Sequence, residues 1–467
     1  MMGSFIIKGV SMSPSDDAIH IGSRRELLVD DALIDGRQDI DLRLNPPTPR
    51  EVAIVHDAPW EGNTCFYHTV IQDDDHFKMY YRGAHYDEQQ QKGTHEVACY
   101  AESEDGIIWR KPNLGLVEFQ GSRDNNIIWD STHNFAVFKD ANPACSYEAR
   151  YKALAGNRKT GLMAYQSGDG IHWSPMQDTP VITHGAFDSQ NLAFWDPNRQ
   201  CYAEYHRDFK IYDGERVRDI MTGTSEDFLT WTPPEWLAYS GVPVEHLYTN
   251  QVIPYYRAPH IYMGFPKRFI PTRNVYGHQH NGVSDVVFMT SRDGRQFHRW
   301  GEALIRPGLQ PERWENRNNF VAHGIMETAS GIPGTPKEMT LYSMEGYYRG
   351  ENCQMRRYTW RLDGCVSAHA RLSGGELITK PLIFDGKSLQ INFATSAAGS
   401  VRIELQQAHR LPVEHFTLAD SEEIYGDAIE RQVSWNSRTD VSHLAGQPVR
   451  IRFILKDADV FAFRFVS

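Results

Sequence analysis

Five places along the chain set polar, chemically capable residues immediately ahead of an apolar, β-rich run. They are Trp60-Glu61-Gly62-Asn63, His133-Asn134, Asp188-Ser189-Gln190-Asn191, Tyr248-Thr249-Asn250 and the stretch from Glu315 to Asn319, which contains Arg317. Further along the same units stand Arg82, Glu204, Arg207 and Glu345. Carboxylates, amides, an imidazole, a phenol and guanidinium groups together suit a ligand rich in hydroxyls. Two carboxyls in one cleft can divide the labour, one protonated to donate and one ionised to attack or to activate water. The sequence therefore nominates Asp188 and Glu61 as a catalytic pair, with Glu204 and Glu345 as substitutes. Asn63, Arg82, His133, Asn134, Gln190, Asn191, Arg207, Tyr248, Asn250, Arg317 and Trp60 are nominated as binding residues. Each acid has a structural alternative: Asp188 as a turn cap, Glu61 as a loop residue, and Glu204 and Glu345 as partners of Arg207 and Arg349.

These residues need a scaffold that brings sequence-distant points to one place, and the repeats supply it. Ser103-Glu104-Asp105-Gly106-Ile107-Ile108-Trp109 returns as Ser167-Gly168-Asp169-Gly170-Ile171-His172-Trp173. Variants follow at Ser225 to Trp231 and Ser291 to Phe297, with a degenerate fifth copy at Arg361-Leu362-Asp363-Gly364. The interval is roughly 60–70 residues, long enough for four strands per unit. Asp-Gly after a β-rich run and before an aromatic residue reads as a hairpin turn with a hydrophobic plug behind it. Units that cannot bury both faces alone stack around an axis, so residues 51–365 read as a five-bladed β-propeller. Residues 1–50 read as N-terminal strands that close it. From residue 366 to 467 the pattern changes to period-two alternation, as in Val401-Arg402-Ile403-Glu404-Leu405, and predicts an antiparallel β-sandwich. The fold class is all-β.

Composition narrows the partners. The chain has 467 residues and a net charge of -12, with no basic stripe, which argues against nucleic acid and anionic membrane. Aromatic residues make up 12%, suiting both β-structure and stacking on a sugar ring. The six cysteines are scattered without a C-x-x-C pair, so neither a disulfide framework nor a zinc site is expected. No cofactor is expected, although His68 or His323 could hold an axial ion. Met1 to Ser15 lacks the apolar core of a signal peptide, which gives a cytoplasmic expectation, or a secreted one had a leader been trimmed.

Five four-stranded blades with Asp-Gly turns, followed by a sandwich, resemble the five-bladed propeller glycoside hydrolases of families 32, 43 and 68. The Ser-x-Asp-Gly-x-x-Trp turns also resemble the Asp-box turns of sialidases. The first-blade pattern Trp-x-Asn-Asp-Pro of the hydrolases is here Pro59-Trp60-Glu61-Gly62-Asn63, their Arg-Asp-Pro is replaced by His133-Asn134, and their Glu-Cys is absent. The resemblance implies a carbohydrate substrate, a site at the axial ends of the innermost strands, and exo-acting cleavage of a fructosyl- or arabinosyl-type unit. It also implies a sandwich that can serve a homo-oligomer. Two other functions fit the same residues: a non-catalytic carbohydrate-binding propeller, and a lyase using His133 and Tyr248 on a uronate, which would need arginines to hold the carboxylate.

Overall fold

The repeated Ser-x-Asp phrase folds as a turn because its side chains replace missing backbone partners. In the first copy Ser103 Oγ accepts from Gly106 N at 2.9 Å, and Asp105 Oδ1 accepts from Ile107 N and Ile108 N at 2.7 and 2.9 Å. The same bonds surround Asp169, Asp227 and Asp293. The residue after each aspartate is left-handed, with φ of +70° at Gly106, +81° at Gly170 and +74° at Gly294. Glycine adopts this region without the steric cost of a Cβ. In the third copy Phe228 occupies it at +69°, and the neighbouring sheet explains the exchange. A Cβ on Gly170 would stand 2.3 Å from the Tyr80 hydroxyl, and one on Gly294 2.8 Å from that of Tyr205. At the equivalent register position the second sheet carries Leu154, and Phe228 is buried with Leu154 and Phe138 in one cluster.

The structure is a computed structural model and describes residues 18–130, 133–277, 280–348 and 353–467. The chain is all-β; among the described residues the helical elements are three short 3-10 turns. Two compact units form, residues 46–362 and residues 1–45 with 363–467.

The first unit is a propeller arrangement of separate sheets. Its four-stranded sheets begin with the inner strands Phe66–Asp73, Ala136–Lys139, Leu192–Asp196 and Met326–Thr328. A seven-stranded sheet contains Ile253–Tyr255 at the corresponding edge, extended by the short strands Ala238–Ser240, His246–Leu247 and Lys267–Ile270. The last sheet takes its outermost strand from the start of the unit: Thr48–His56 pairs antiparallel with Cys353–Arg361. First and last sheets also meet at the inner edge, where Thr69 and His323 form a parallel bridge. These two joints close the ring.

In the other unit, Ser388–Gln407 and Val449–Val466 pair along most of their length within a ten-stranded hydrogen-bonded sheet. The N-terminal strands Ile19–Gly22, Glu26–Leu27, Ile34–Gln38 and Ile40–Leu44 belong to this sheet. Its core is built around Trp435, Phe393, Phe453 and Phe463. The degenerate fifth copy departs from the turn pattern. Asp363 is fully buried and accepts from Arg25 Nη1 and Asn392 Nδ2, both at 3.1 Å.

Phe228→Gly sets two effects against each other. Relief of the left-handed backbone favours the variant by about 1 kcal/mol, while loss of a buried phenyl ring costs about 3–5 kcal/mol. The expected result in a denaturant titration is a net loss of about 3 kcal/mol; a neutral or stabilised variant would show that Phe228 does not fill the space a tyrosine occupies elsewhere.

Candidate active site

Left-handed, non-glycine residues recur where the chain approaches successive inner strands: Tyr67 (φ +55°), Asn134 (+53°), Phe187 (+55°), Gln251 (+44°) and Asn319 (+57°). Each costs about 1 kcal/mol or more, a strain that clusters at functional sites. Around Phe187 it is held by amides. Asn191 Nδ2 donates to the carbonyls of Phe187 and Ser189 at 3.1 and 3.3 Å, Asn134 Nδ2 donates to Ser189 O at 2.7 Å, and Ser189 Oγ donates to Tyr248 O at 2.9 Å. Gln190 points inward, donating to His68 O and Thr69 Oγ1 and accepting from Gln251 Nε2 at 2.8 Å. With its neighbours pinned, Asp188 turns outward, its side chain 59% exposed.

A funnel of cations and tyrosines surrounds it. Tyr248 donates its hydroxyl to Asp188 Oδ2 at 3.2 Å, and Arg207 Nη2 lies 3.6 Å from the same oxygen while donating to Asp188 O at 2.6 Å. The Arg207 guanidinium lies 4.7 Å from the Tyr248 ring centre. Arg82 lies over the Tyr67 ring at 4.8 Å and donates to Asn134 Oδ1 and the Tyr347 hydroxyl, both at 3.2 Å. Arg317 lies over Tyr347 and Tyr348 and donates to both hydroxyls. Lys267 and Arg218 also approach the Tyr248 ring, at 4.5 and 5.8 Å.

His133 bridges two acids. Its Nδ1 is 2.8 Å from Glu96 Oε1 and its Nε2 is 3.8 Å from Asp188 Oδ1. Asn134 fixes the tautomer: its oxygen accepts from Arg82, so its amide nitrogen must donate to His133 Nε2, at 2.8 Å. His133 Nδ1 therefore carries the proton and donates to Glu96.

The electrostatics separate the acids. Burial alone would raise the Asp188 carboxyl, but Arg207, Arg317 and Arg82 outweigh it and hold Asp188 ionised below the usual range. Glu96 is likewise held low, with burial overcome by His133 and Arg82. Glu315, two residues before Arg317, goes the other way: burial and the nearby Glu88 push it up to about 7.

Asp188, Arg82, His133, Asn134, Arg207, Tyr248 and Arg317 thus come together as the sequence suggests. The three nominated glutamates do not join them. Glu61 is fully buried, bonded to His56 Nδ1 (3.1 Å), Tyr81 (2.6 Å), Lys111 (2.7 Å) and Ala58 N (2.8 Å). Glu204 is buried and pairs with His206 at 2.7 Å, not with Arg207. Glu345 is buried and forked onto Arg356; Arg349 lies outside the described residues. Trp60 bonds Asn126 Oδ1, Asn63 clamps the backbone of Tyr86, and Asn250 holds Val252 N, so these three brace the frame. Gln190 and Asn191 also act as braces. Glu96, Lys267, Arg218, Tyr67 and Tyr347 complete the funnel without having been nominated for it; Glu315, in a stretch the sequence singled out, is buried two residues before Arg317. Glu96 carries no repeat signature and reaches the site only because the hairpin strands His76–Asp87 and Lys92–Ser103 run long.

Behind Glu61 lies one set of metal-capable donors. His56, Cys65 and His68 are buried with ligand atoms within 4.8 Å of one another, and His56 Nε2 and His68 Nε2 are hydrogen-bonded at 2.9 Å. Were an ion held there, Glu61 on His56 Nδ1 would orient that imidazole. His323 is not in this set; it donates to Val252 O at 3.1 Å, and burial lowers it to about 4.

No family model and no curated protein matches the sequence. Solved structures do. A fructofuranosidase from Schwanniomyces occidentalis in complex with fructosylnystose is 10% identical, with 88% of this chain and 96% of that one covered at a TM-score of 0.42. A glycosyl hydrolase from Bacteroides ovatus is 15% identical, with 74% and 95% covered and a TM-score of 0.38. An N-acetylgalactosamine deacetylase from F. plautii, in complex with blood group B trisaccharide, is 12% identical, with 68% and 96% covered and a TM-score of 0.44. Similarity at this level carries no argument about activity, which rests on the funnel itself.

Glu61 supplies a pH test of its structural role. Burial opposes its charge, but His56 and Lys111 lower it to about 2 against an ordinary 4.5. A carboxyl depressed by folding stabilises above its unfolded pKa, and that contribution is lost as pH falls from 4.5 towards 2; it amounts to on the order of 3 kcal/mol. Glu61→Gln is expected to be destabilised by about that much at pH 7, with the gap to wild type narrowing at pH 3 in urea titrations. An equal gap at both pH values would remove Glu61 from this role.

Proposed function

We propose that the chain is a glycosidase whose funnel cleaves the glycosidic bond of a terminal sugar unit, with Asp188 as the ionised carboxylate and Glu315 as the proton-bearing one. The observation that carries the reading is Asp188 itself. Of the four nominated acids it alone is exposed, and Arg207 and Tyr248 keep it charged and oriented. An ionised carboxylate can attack the anomeric carbon or activate water, while a carboxyl with a pKa near neutrality can protonate the leaving oxygen. In the same reading the seven-stranded sheet is a fifth blade and the C-terminal unit is a β-sandwich.

β-Elimination with His133 as the base meets a geometric obstacle. Its Nε2 lone pair is engaged by Asn134 and its Nδ1 proton by Glu96, so it serves as a positioning group.

Asp188→Asn is expected to lower turnover by about 10²–10⁴-fold while circular dichroism and melting temperature stay at wild-type values. Unchanged turnover would sink the assignment, and saccharide binding by a wild type that never turns over would make the chain a binding propeller. The wild-type rate is expected to follow a bell, falling on the acid side below the ordinary carboxylate range as Asp188 protonates and above pH 7 as Glu315 ionises. Glu315→Gln should abolish the alkaline limb.

A further inference from the structure

We infer that the funnel is built to take an anionic substituent of the saccharide, held among Lys267, Arg207, Arg218 and Arg317. This deepens the glycosidase reading and rests on it for the word saccharide, though not for the charge. Lys267 is fully buried, and its Nζ meets no hydrogen-bond acceptor among the described residues. Its surroundings are the rings of Tyr248 at 4.5 Å, Phe66 at 5.7 Å and Phe269 at 5.9 Å. Arg207, Arg218 and Arg317 each also leave a buried Nε without an acceptor. An ammonium among three guanidinium groups is a costly arrangement on its own, because like charges repel and burial removes their hydration. A bound carboxylate, sulfate or phosphate would supply the missing acceptors and the missing negative charge.

The charged and titratable groups facing Lys267 are Arg317, Arg218, Arg207, Asp188 and Tyr248. Burial first, then the three arginines, push its amine well below the ordinary lysine range, with Asp188 opposing. An anion arriving beside it reverses that balance, so the amine takes up a proton on binding. Without a bound anion the amine is a cost to the fold: Lys267→Met keeps the hydrocarbon stem and removes the unmatched nitrogen.

The test is calorimetric titration of the whole chain at pH 7 with glucuronate, inorganic sulfate, inorganic phosphate and glucose, in two buffers of different ionisation enthalpy. At least one anion should bind about tenfold or more tighter than glucose, with proton uptake in the buffer comparison; the tightest anion names the substituent. Lys267→Met should melt at or above the wild-type temperature, lose about tenfold in anion affinity and lose the proton uptake. Should that variant fail to fold, Arg218→Gln is expected to weaken anion binding and leave glucose unchanged. Equal affinity for glucuronate and glucose, or full anion affinity in a folded Lys267→Met, overturns the inference. Binding is read without turnover, so an inactive protein that prefers anions sinks the glycosidase reading alone, and an active one indifferent to charge sinks this inference alone.

Discussion

The side-chain amide of Gln190 is the contact on which the geometry of the funnel depends. By bonding His68 O, Thr69 Oγ1 and Gln251 it ties the approach to one inner strand to those of two others. All three partners are buried, so the amide trades no bond with water and its loss would strand several polar groups at once. The left-handed residues beside it persist because such bonds over-determine the local backbone. Asp188 points outward as a consequence: Gln190 and Asn191 on its C-terminal side are both committed inward, and the chain between them has no freedom to reverse.

Charge is distributed by the same constraint. Carboxylates that point into the blades find fixed partners, as Glu61 does with His56 and Lys111 and Glu345 with Arg356, and are thereby used up as structure. The funnel inverts the ratio. Arg82, Arg207, Arg218, Arg317 and Lys267 face Asp188 and Glu96, and tyrosine faces take up part of the excess positive charge. Methionine at position 267 is expected to serve stability at least as well as lysine, which is the pattern of a residue kept for function rather than for folding.

The repeat architecture was legible because Ser-x-Asp turns carry their own hydrogen-bonding logic, and four of them fold as that logic requires. Asp188 was legible for a related reason, being an acid just ahead of an amide that caps its own turn. Glu61 stands in the same relation to its strand, yet the Glu61–Gly62 turn folds the acid under Ala58 N, with Gly62 packed so closely that a Cβ would meet Ala84 O at 2.4 Å. Sequence spacing gives position along a strand but not the direction a loop faces. Lys267 follows Phe265-Pro266 outside the repeated phrase, and nothing in its neighbours marks it as buried. Its strand, Lys267–Ile270, is one of three short additions to the seven-stranded sheet that carry too few residues for a periodic signal.

The most direct measurement is a crystal structure of Asp188→Asn with a disaccharide that ends in a uronic acid. The account predicts the sugar carboxylate within hydrogen-bond distance of Lys267 and Arg207, with the glycosidic oxygen over residue 188 and a Glu315 carboxyl on its leaving-group side. A ligand bound elsewhere on the propeller, or one whose carboxylate points to solvent while Lys267 stays unpartnered, would contradict it.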